Sequence, residues 1–296
     1  MLSRRVFTGS VASAALFAQP RFVKGICSAI FPSTMPFAEQ IARAKNAGFD
    51  AIELPMRGEL AVTAADDDVK RMGGAAKKAR VAIASLWVSP PLADAPLNNP
   101  DAAVRARGVA AIRKALEFAK YLDCGALLVV PGRVGSGPKF EVGYEMTWRL
   151  VTEELKKVVP DAERAQVLLN LENVSNRFLV SPLEMRSFVD QFRSPWLQTH
   201  FDTGNVMYFG YPQDWILTLG SRIKRVHVKD RKVTPQAEAA RPSRLLEGDV
   251  DWKAVMSALV KVGYSGFMSP EIGYEPDVPD QLASVSAALD RILALA

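Results

Sequence analysis

Eight short apolar runs, each separated from the next by a stretch long enough for a helix, constrain this chain more than any other feature. They are Phe22–Ile30, Phe49–Leu54, Val81–Val88, Ala126–Val130, Gln166–Glu172, Leu197–Asp202, Ile223–Lys229 and Gly266–Ile272. A run that is apolar on at least one face suits a strand buried in a parallel sheet. Helical patterns fill the intervals. Phe37 to Ala44 carries an apolar stripe and ends at Gly48. Asp101 to Leu122 repeats apolar or small residues at Val104, Gly108, Ala111, Ile112, Ala115 and Ala119. Tyr144 to Val159 does likewise and stops at Pro160. Ser181 is placed as an N-cap, with Pro182 in the first turn and Glu184 close by. Asp251-Trp252 opens a helix running to Gly263, and a last one runs from about Pro279 to the C-terminus.

Such alternation over 296 residues predicts an α/β fold, a closed parallel (β/α)8 TIM barrel forming one domain over residues 21–296. An open doubly wound sheet is the rival. It is disfavoured because no Gly-x-Gly-x-x-Gly follows the first strand. No linker or low-complexity block marks a second domain. Two cysteines exclude a disulfide scaffold and a Cys-rich zinc module; Cys27 and Cys124 fall on non-adjacent strands and are expected as unpaired, buried thiols. A charged content of 23% with a mean hydropathy of +0.04 excludes disorder and a multi-span membrane protein. The net charge of +5 is spread along the chain, so it does not point to nucleic acid.

Residues 1–20 stand apart. Ser3-Arg4-Arg5-Val6-Phe7-Thr8 precedes a small apolar run, Gly9 to Ala18. The order resembles a twin-arginine export signal, which implies a periplasmic or otherwise exported protein that crosses already folded. The run is too short for a stable membrane span. The Gly-rich piece Pro131 to Lys139, after the fourth strand, is expected as a mobile loop over the barrel mouth.

In a barrel of this kind the active site forms at the C-terminal ends of the strands. The last four strands end in Glu172, Asp202, His227 and Glu271. Strand alternation sends Leu171, Phe201, Val226 and Val228 outwards to the helices and Glu172, Asp202 and His227 inwards. Three crowded carboxylates resist ionisation unless a cation joins them. Three carboxylates and one imidazole make a mostly oxygen site for one divalent metal ion. Mn²⁺, Co²⁺ or Mg²⁺ suit it best, with Zn²⁺ or Fe²⁺ as further candidates.

These motifs resemble the xylose-isomerase-like barrel superfamily, in its sugar phosphate isomerase/epimerase branch. The segments that carry the resemblance are Asn170-Leu171-Glu172-Asn173, Asp202-Thr203-Gly204-Asn205, Arg225-Val226-His227-Val228-Lys229-Asp230, Leu246 to Trp252, and Gly263 to Glu271. The resemblance implies that Glu172, Asp202, His227 and Glu271 hold the metal, and that Glu172 and Glu271 move protons. It implies an isomerase or epimerase of a sugar or sugar-like hydroxy-ketone, with a metal-stabilised enediolate formed by loss of the proton α to the carbonyl. The alternatives are a lyase or hydrolase of 3-keto-glycosides using the same metal site, and a non-catalytic periplasmic sugar-binding barrel. A DNA-repair endonuclease, also found in the superfamily, needs more than the two histidines present.

Further residues have two readings each. Lys229 contacts a substrate oxygen or pairs with an acid. Glu53 binds a sugar hydroxyl or makes a helix-side salt bridge. Trp87 stacks on a sugar face or fills the barrel. His200 is a buried structural histidine or a substrate contact. Arg241 and Arg244 hold the substrate or belong to a solvated basic loop. Asn173 and Asn205 support the neighbouring ligands. Two departures from ketose 3-epimerases stand out. No histidine follows Asp202 in Thr203-Gly204-Asn205-Val206-Met207, and Asn176-Arg177-Phe178 is followed by Leu179 rather than an acid. The partner expected is a small carbohydrate, with oligomers possible.

Overall fold

Parallel strands that pair on both sides leave no free edge, and all eight apolar runs do so here. The computed structural model describes residues 22–135, 141–233 and 241–296. The leader at 1–20 and the tip of the Gly-rich piece at 136–140 lie outside the described residues. The barrel strands are β1 (Phe22–Cys27), β2 (Ala51–Pro55), β3 (Ala82–Trp87), β4 (Ala126–Val129), β5 (Leu168–Glu172), β6 (Leu197–Asp202), β7 (Ile223–Val228) and β10 (Gly266–Pro270). They close in the order β1-β10-β7-β6-β5-β4-β3-β2, each parallel to its neighbours. Two short strands, β8 (Asp230–Lys232) and β9 (Arg241–Ser243), form a separate antiparallel pair beyond β7.

The helices are α1 (Phe37–Asn46), α2 (Asp66–Ala79), α3 (Ser89–Asp94), α4 (Ala102–Tyr121), α5 (Tyr144–Ala165), α6 (Pro182–Asp190), α7 (Pro212–Leu219), α8 (Trp252–Lys261) and α9 (Gln281–Leu293). Their starts follow from local chemistry. The Asp101 carboxylate accepts from the Ala103 N–H, the Ser181 hydroxyl from Glu184 and the Asp251 carboxylate from Ala254. Each satisfies an amide the helix leaves without an internal partner.

Most apolar packing lies between strands and helices. Ile52, Leu127, Leu171, Phe201, Val226 and Val228 from the strands share one buried cluster with Ile41, Ile112, Leu155, Phe188, Ile216 and Leu289 from the helices. Inside the barrel the apolar group is small: Cys27, Trp87 and Leu128. The rest of the interior is polar, with Glu53, Ser85, Asn170, His200 and Ser269 all fully buried. Cys27 and Cys124 are both buried and unpaired, as expected.

Several boundaries differ from the sequence expectation. The first strand ends at Cys27, and Ser28–Ile30 turns as a 3-10 helix. The helix expected to stop at Pro160 continues to Ala165. Pro160 sits on the exposed side, and the buried stripe Leu155, Val158, Val159 and Ala162 outweighs the hydrogen bond that proline cannot donate. Gln166, expected to open the next strand, is instead the left-handed cap of α5, at φ 54°. In the Gly-rich piece, Gly135 pairs with Val142 in an antiparallel bridge.

Asp230 clasps the segment that follows the hairpin. Its buried carboxylate accepts from the amides of Arg231, Leu246, Gly248 and Val250 and from the Trp252 indole N–H. Gly248 is required there, because a Cβ would lie 2.4 Å from the Asp230 carboxyl carbon and 2.8 Å from the Arg231 carbonyl oxygen.

Candidate metal centre

Register brings the strand ends together. Asp202 on β6 lies opposite His227 on β7, and His227 lies opposite Ser269 on β10. Glu172 closes β5, and Glu271 follows the last residue of β10. One ligand atom from each of Glu172, Asp202, His227 and Glu271 lies within 4.8 Å of the other three. His227 is the hub. Its Nδ1 lies 3.0 Å from Glu172 Oε1, 3.1 Å from Glu271 Oε2 and 3.8 Å from Asp202 Oδ2. Glu172, Asp202 and His227 are buried, and only Glu271 is part-exposed at the mouth.

The loops after β5 and β6 aim Asp202. The Asn173 amide donates to the Asp202 carbonyl at 2.9 Å and accepts from its N–H at 2.9 Å. A side chain thus imitates a neighbouring strand and extends the ladder by one step. Asp202 Oδ1 accepts from the amides of Gly204, at 2.9 Å, and Asn205, at 2.7 Å. Asn205 donates back to the Asn173 carbonyl at 3.0 Å. One carboxylate oxygen is thereby held, and Oδ2 is left to face the cluster.

This donor set fits a divalent cation. Asp202 Oδ2 and Glu271 Oε2 are buried without a hydrogen bond. Their cationic neighbour is Lys229, whose Nζ lies 3.0 Å from the first and 2.5 Å from the second. Carboxylate oxygens beside an imidazole nitrogen form a mixed oxygen–nitrogen site suited to hard or borderline divalent ions.

The charges are strongly coupled. Burial pushes the Glu172 carboxyl up to about 7, against the pull of the His227 hydrogen bond. Glu271 is also raised by burial, but the His227 and Lys229 cations outweigh this and hold it at about 2. Burial disfavours the His227 imidazolium, yet Cys27, Glu53 and Glu271 together raise it well above the ordinary value. Lys229 loses hydration on burial, but Asp202, Glu271 and Glu172 keep its ammonium protonated to higher pH than usual. Two carboxyls displaced in opposite directions are an arrangement found where one group gives a proton and another takes it. A divalent cation within reach of both would lower both.

Comparison with known proteins adds the family. The profile of the xylose isomerase-like TIM barrels matches residues 41–293. This chain belongs to that family. L-ribulose-5-phosphate 3-epimerase UlaE of Escherichia coli O1:K1 / APEC is 29% identical over 281 residues, covering 91% of this chain and 93% of the relative. A D-tagatose 3-epimerase-like protein has the same fold, with a TM-score of 0.76 at 22% identity over 92% of this chain and 97% of its own. An L-ribulose 3-epimerase superposes with a TM-score of 0.74 at 22% identity, covering 91% and 94%.

Within this xylose isomerase-like barrel, the remaining residues sort by depth. Glu53 lies beneath the candidate ligands. It is fully buried, and its Oε2 accepts from Ser85 Oγ and Trp87 Nε1, each at 2.9 Å. Strand parity sends Glu53 inwards, to the layer beneath the mouth, so its partners are barrel residues rather than a helix-side cation. Trp87 packs inside the barrel with Cys27 and Leu128 and stands edge-on to His227, 5.4 Å between ring centroids. His200 lies beside His227. It is fully buried against the His227 ring, 4.0 Å between centroids, and desolvation with the His227 charge keeps it neutral. Arg244 and Arg241 are exposed, and Arg244 lines a cavity of about 700 Å³ that Lys229 and Glu271 also line. Sequence reasoning gave no role to Ser85 or Asp230. Inward parity was the available signal for Ser85; Asp230 and its partners between Leu246 and Trp252 both fall in segments that carry the family resemblance, which gave them no role.

Proposed function

We propose that this chain is a divalent-metal-dependent epimerase or isomerase of a sugar-like hydroxy-ketone. One observation carries the reading: three carboxylates and the His227 Nδ1 converge within 4.8 Å at the mouth of a closed barrel. The name of the UlaE relative, an L-ribulose-5-phosphate 3-epimerase, supports it at the level of reaction class.

Glu172, Asp202, His227 and Glu271 would hold the ion, with Mn²⁺, Co²⁺ or Mg²⁺ the best-suited and Zn²⁺ or Fe²⁺ further candidates. What such an ion supplies when bound is Lewis acidity toward adjacent carbonyl and hydroxyl oxygens. The chain does the rest. Glu271, held ionised by His227 and Lys229, takes the proton from the carbon next to the carbonyl. The C–H pair becomes the new C=C bond, and the carbonyl pair moves to oxygen. Glu172, the other carboxyl that the family resemblance assigns to proton transfer, returns a proton. Return to the opposite face inverts the centre, and return to the neighbouring carbon isomerises. Lys229 contributes a fixed positive charge beside the developing oxyanion.

Protein stripped of metal and then given Mn²⁺, Co²⁺ or Mg²⁺ is expected to incorporate deuterium from D₂O into a ketose such as L-ribulose 5-phosphate, free L-ribulose or D-tagatose, without fragmentation. Exchange that survives chelation would defeat the metal-dependent reading. A second reading is a lyase or hydrolase of 3-keto-glycosides, favoured by the roughly 700 Å³ cavity beside Lys229 and Glu271, which leaves room for an aglycone. Aglycone release from a 3-keto-glycoside would select it. Sugar binding by metal-free protein with no exchange would select a non-catalytic barrel.

The Ser3-Arg4-Arg5-Val6-Phe7 order supports export by the twin-arginine route, and with it a periplasmic site of action. Replacing Arg4 and Arg5 by Lys should leave the protein in the cytoplasmic fraction; unchanged fractionation would remove this part of the proposal.

A further inference from the structure

Beneath the four candidate ligands lies another carboxylate that the chemistry above does not use. Glu53 on β2 is fully buried, and three donors converge on its Oε2. They are the Ser85 hydroxyl at 2.9 Å, the Trp87 indole N–H at 2.9 Å and His227 Nε2 at 3.2 Å. Ser85 and Trp87 both come from β3, and Glu53 pairs with Ser85 in the sheet register. An indole can only donate, and a carboxylate oxygen that receives it acts as acceptor. The contact with His227 therefore places a proton on Nε2.

An imidazole that ligates an ion is neutral and carries one N–H. With that proton on Nε2, the lone pair lies on Nδ1, the nitrogen facing Glu172, Glu271 and Asp202 at 3.0, 3.1 and 3.8 Å. The ring has little freedom to turn, packed against the His200 and Trp87 rings at centroid separations of 4.0 and 5.4 Å. We propose that Glu53 is a positioning residue: through Nε2–H it holds His227 in one tautomer and presents Nδ1 to the divalent ion. Ser85 and Trp87 fix Glu53 in turn, so the support reaches across to β3. This inference rests on the metal-site reading and goes beyond it by assigning a role to a residue that touches neither ion nor sugar.

The chain's two histidines make the test direct. In ¹⁵N-histidine-labelled wild-type protein loaded with Zn²⁺, His227 should carry its proton on Nε2 and show Nδ1 shifted by the ion. Glu53→Gln keeps the shape and removes the charge. It should bind Mn²⁺ about 10- to 100-fold more weakly, as loss of such a supporting partner does elsewhere. A proton found on Nδ1 overturns the proposal, as does Glu53→Gln protein that binds Mn²⁺ as tightly as wild type. Wild-type protein that binds no divalent ion overturns the metal-site reading itself, and this inference with it. The labelled wild-type spectrum needs no variant, so a misfolded Glu53→Gln protein still leaves a decisive result.

Discussion

Glu271→Gln is expected to lower turnover by at least about 10³-fold while leaving the fold intact, because general acid–base groups contribute about 10²- to 10⁴-fold and this one would also lose a charged ligand. The replacement is nearly isosteric. An amide oxygen cannot take a carbon-bound proton under these conditions, and its neutral charge no longer pairs with Lys229, 2.5 Å away, or with His227, 3.1 Å away. Glu271 follows the last barrel strand and is part-exposed, so the core beneath has no reason to move. The informative comparison is with Glu172→Gln. If Glu271 removes the proton and Glu172 returns it, both variants lose epimer formation, and Glu172→Gln retains more solvent exchange at the starting centre. The measurement is deuterium wash-in followed by product analysis. Glu271→Gln activity within tenfold of wild type would remove Glu271 from the chemistry.

Lys229→Met separates two roles that the geometry combines. The ammonium sits between Asp202 Oδ2 and Glu271 Oε2, at 3.0 and 2.5 Å. Removing it leaves the cluster more negative, so a divalent ion should bind at least as tightly as in wild type. Catalysis should move the other way: loss of a preorganised charge at a developing oxyanion costs about 10²- to 10³-fold in kcat. Stability gives a third readout. Asp202 is fully buried, and stripping its cationic partner should cost on the order of 3 kcal/mol in chelator, recovered when the ion is added. Parallel losses of ion affinity and activity would show instead that Lys229 merely holds the ligands in place.

The barrel was legible because strands buried on both faces appear as short continuous apolar runs, and eight of them alternate with helical stretches. The candidate ligands were legible because parity sorts inward from outward residues at four successive strand ends. Depth was legible only in part. For Glu53 it was not: it has the inward parity of a ligand, yet the stagger of the barrel sets it one layer down, and β2 shifts register between Ile52 and Glu53. His200, by contrast, is two residues below Asp202 on the same strand and reads as buried from that alone. Three helices were hidden: α3 spans only six residues, and the other two have different reasons. In α2 the pair Gly73-Gly74 interrupts the helical pattern, and Gly73 is needed because a Cβ there would meet the Tyr121 backbone of α4, with the carbonyl carbon at 3.1 Å. The α7 stretch is only eight residues long and follows Gly210 and Tyr211. The hairpin after β7 depends on the Asp230 carboxylate gathering amides up to twenty positions away, which no local pattern announces.

The division between apolar packing outside the barrel strands and a polar interior has a consequence for how such a chain can diversify. Along each strand, alternate positions answer to different demands: one set must fit the surrounding helices, the other faces only the central well. Changes in the second set can retune reactivity with little disturbance to assembly, and changes in the first can drift while the chemistry stays put. Lineages that share this scaffold can therefore part company in what they transform long before they part company in shape.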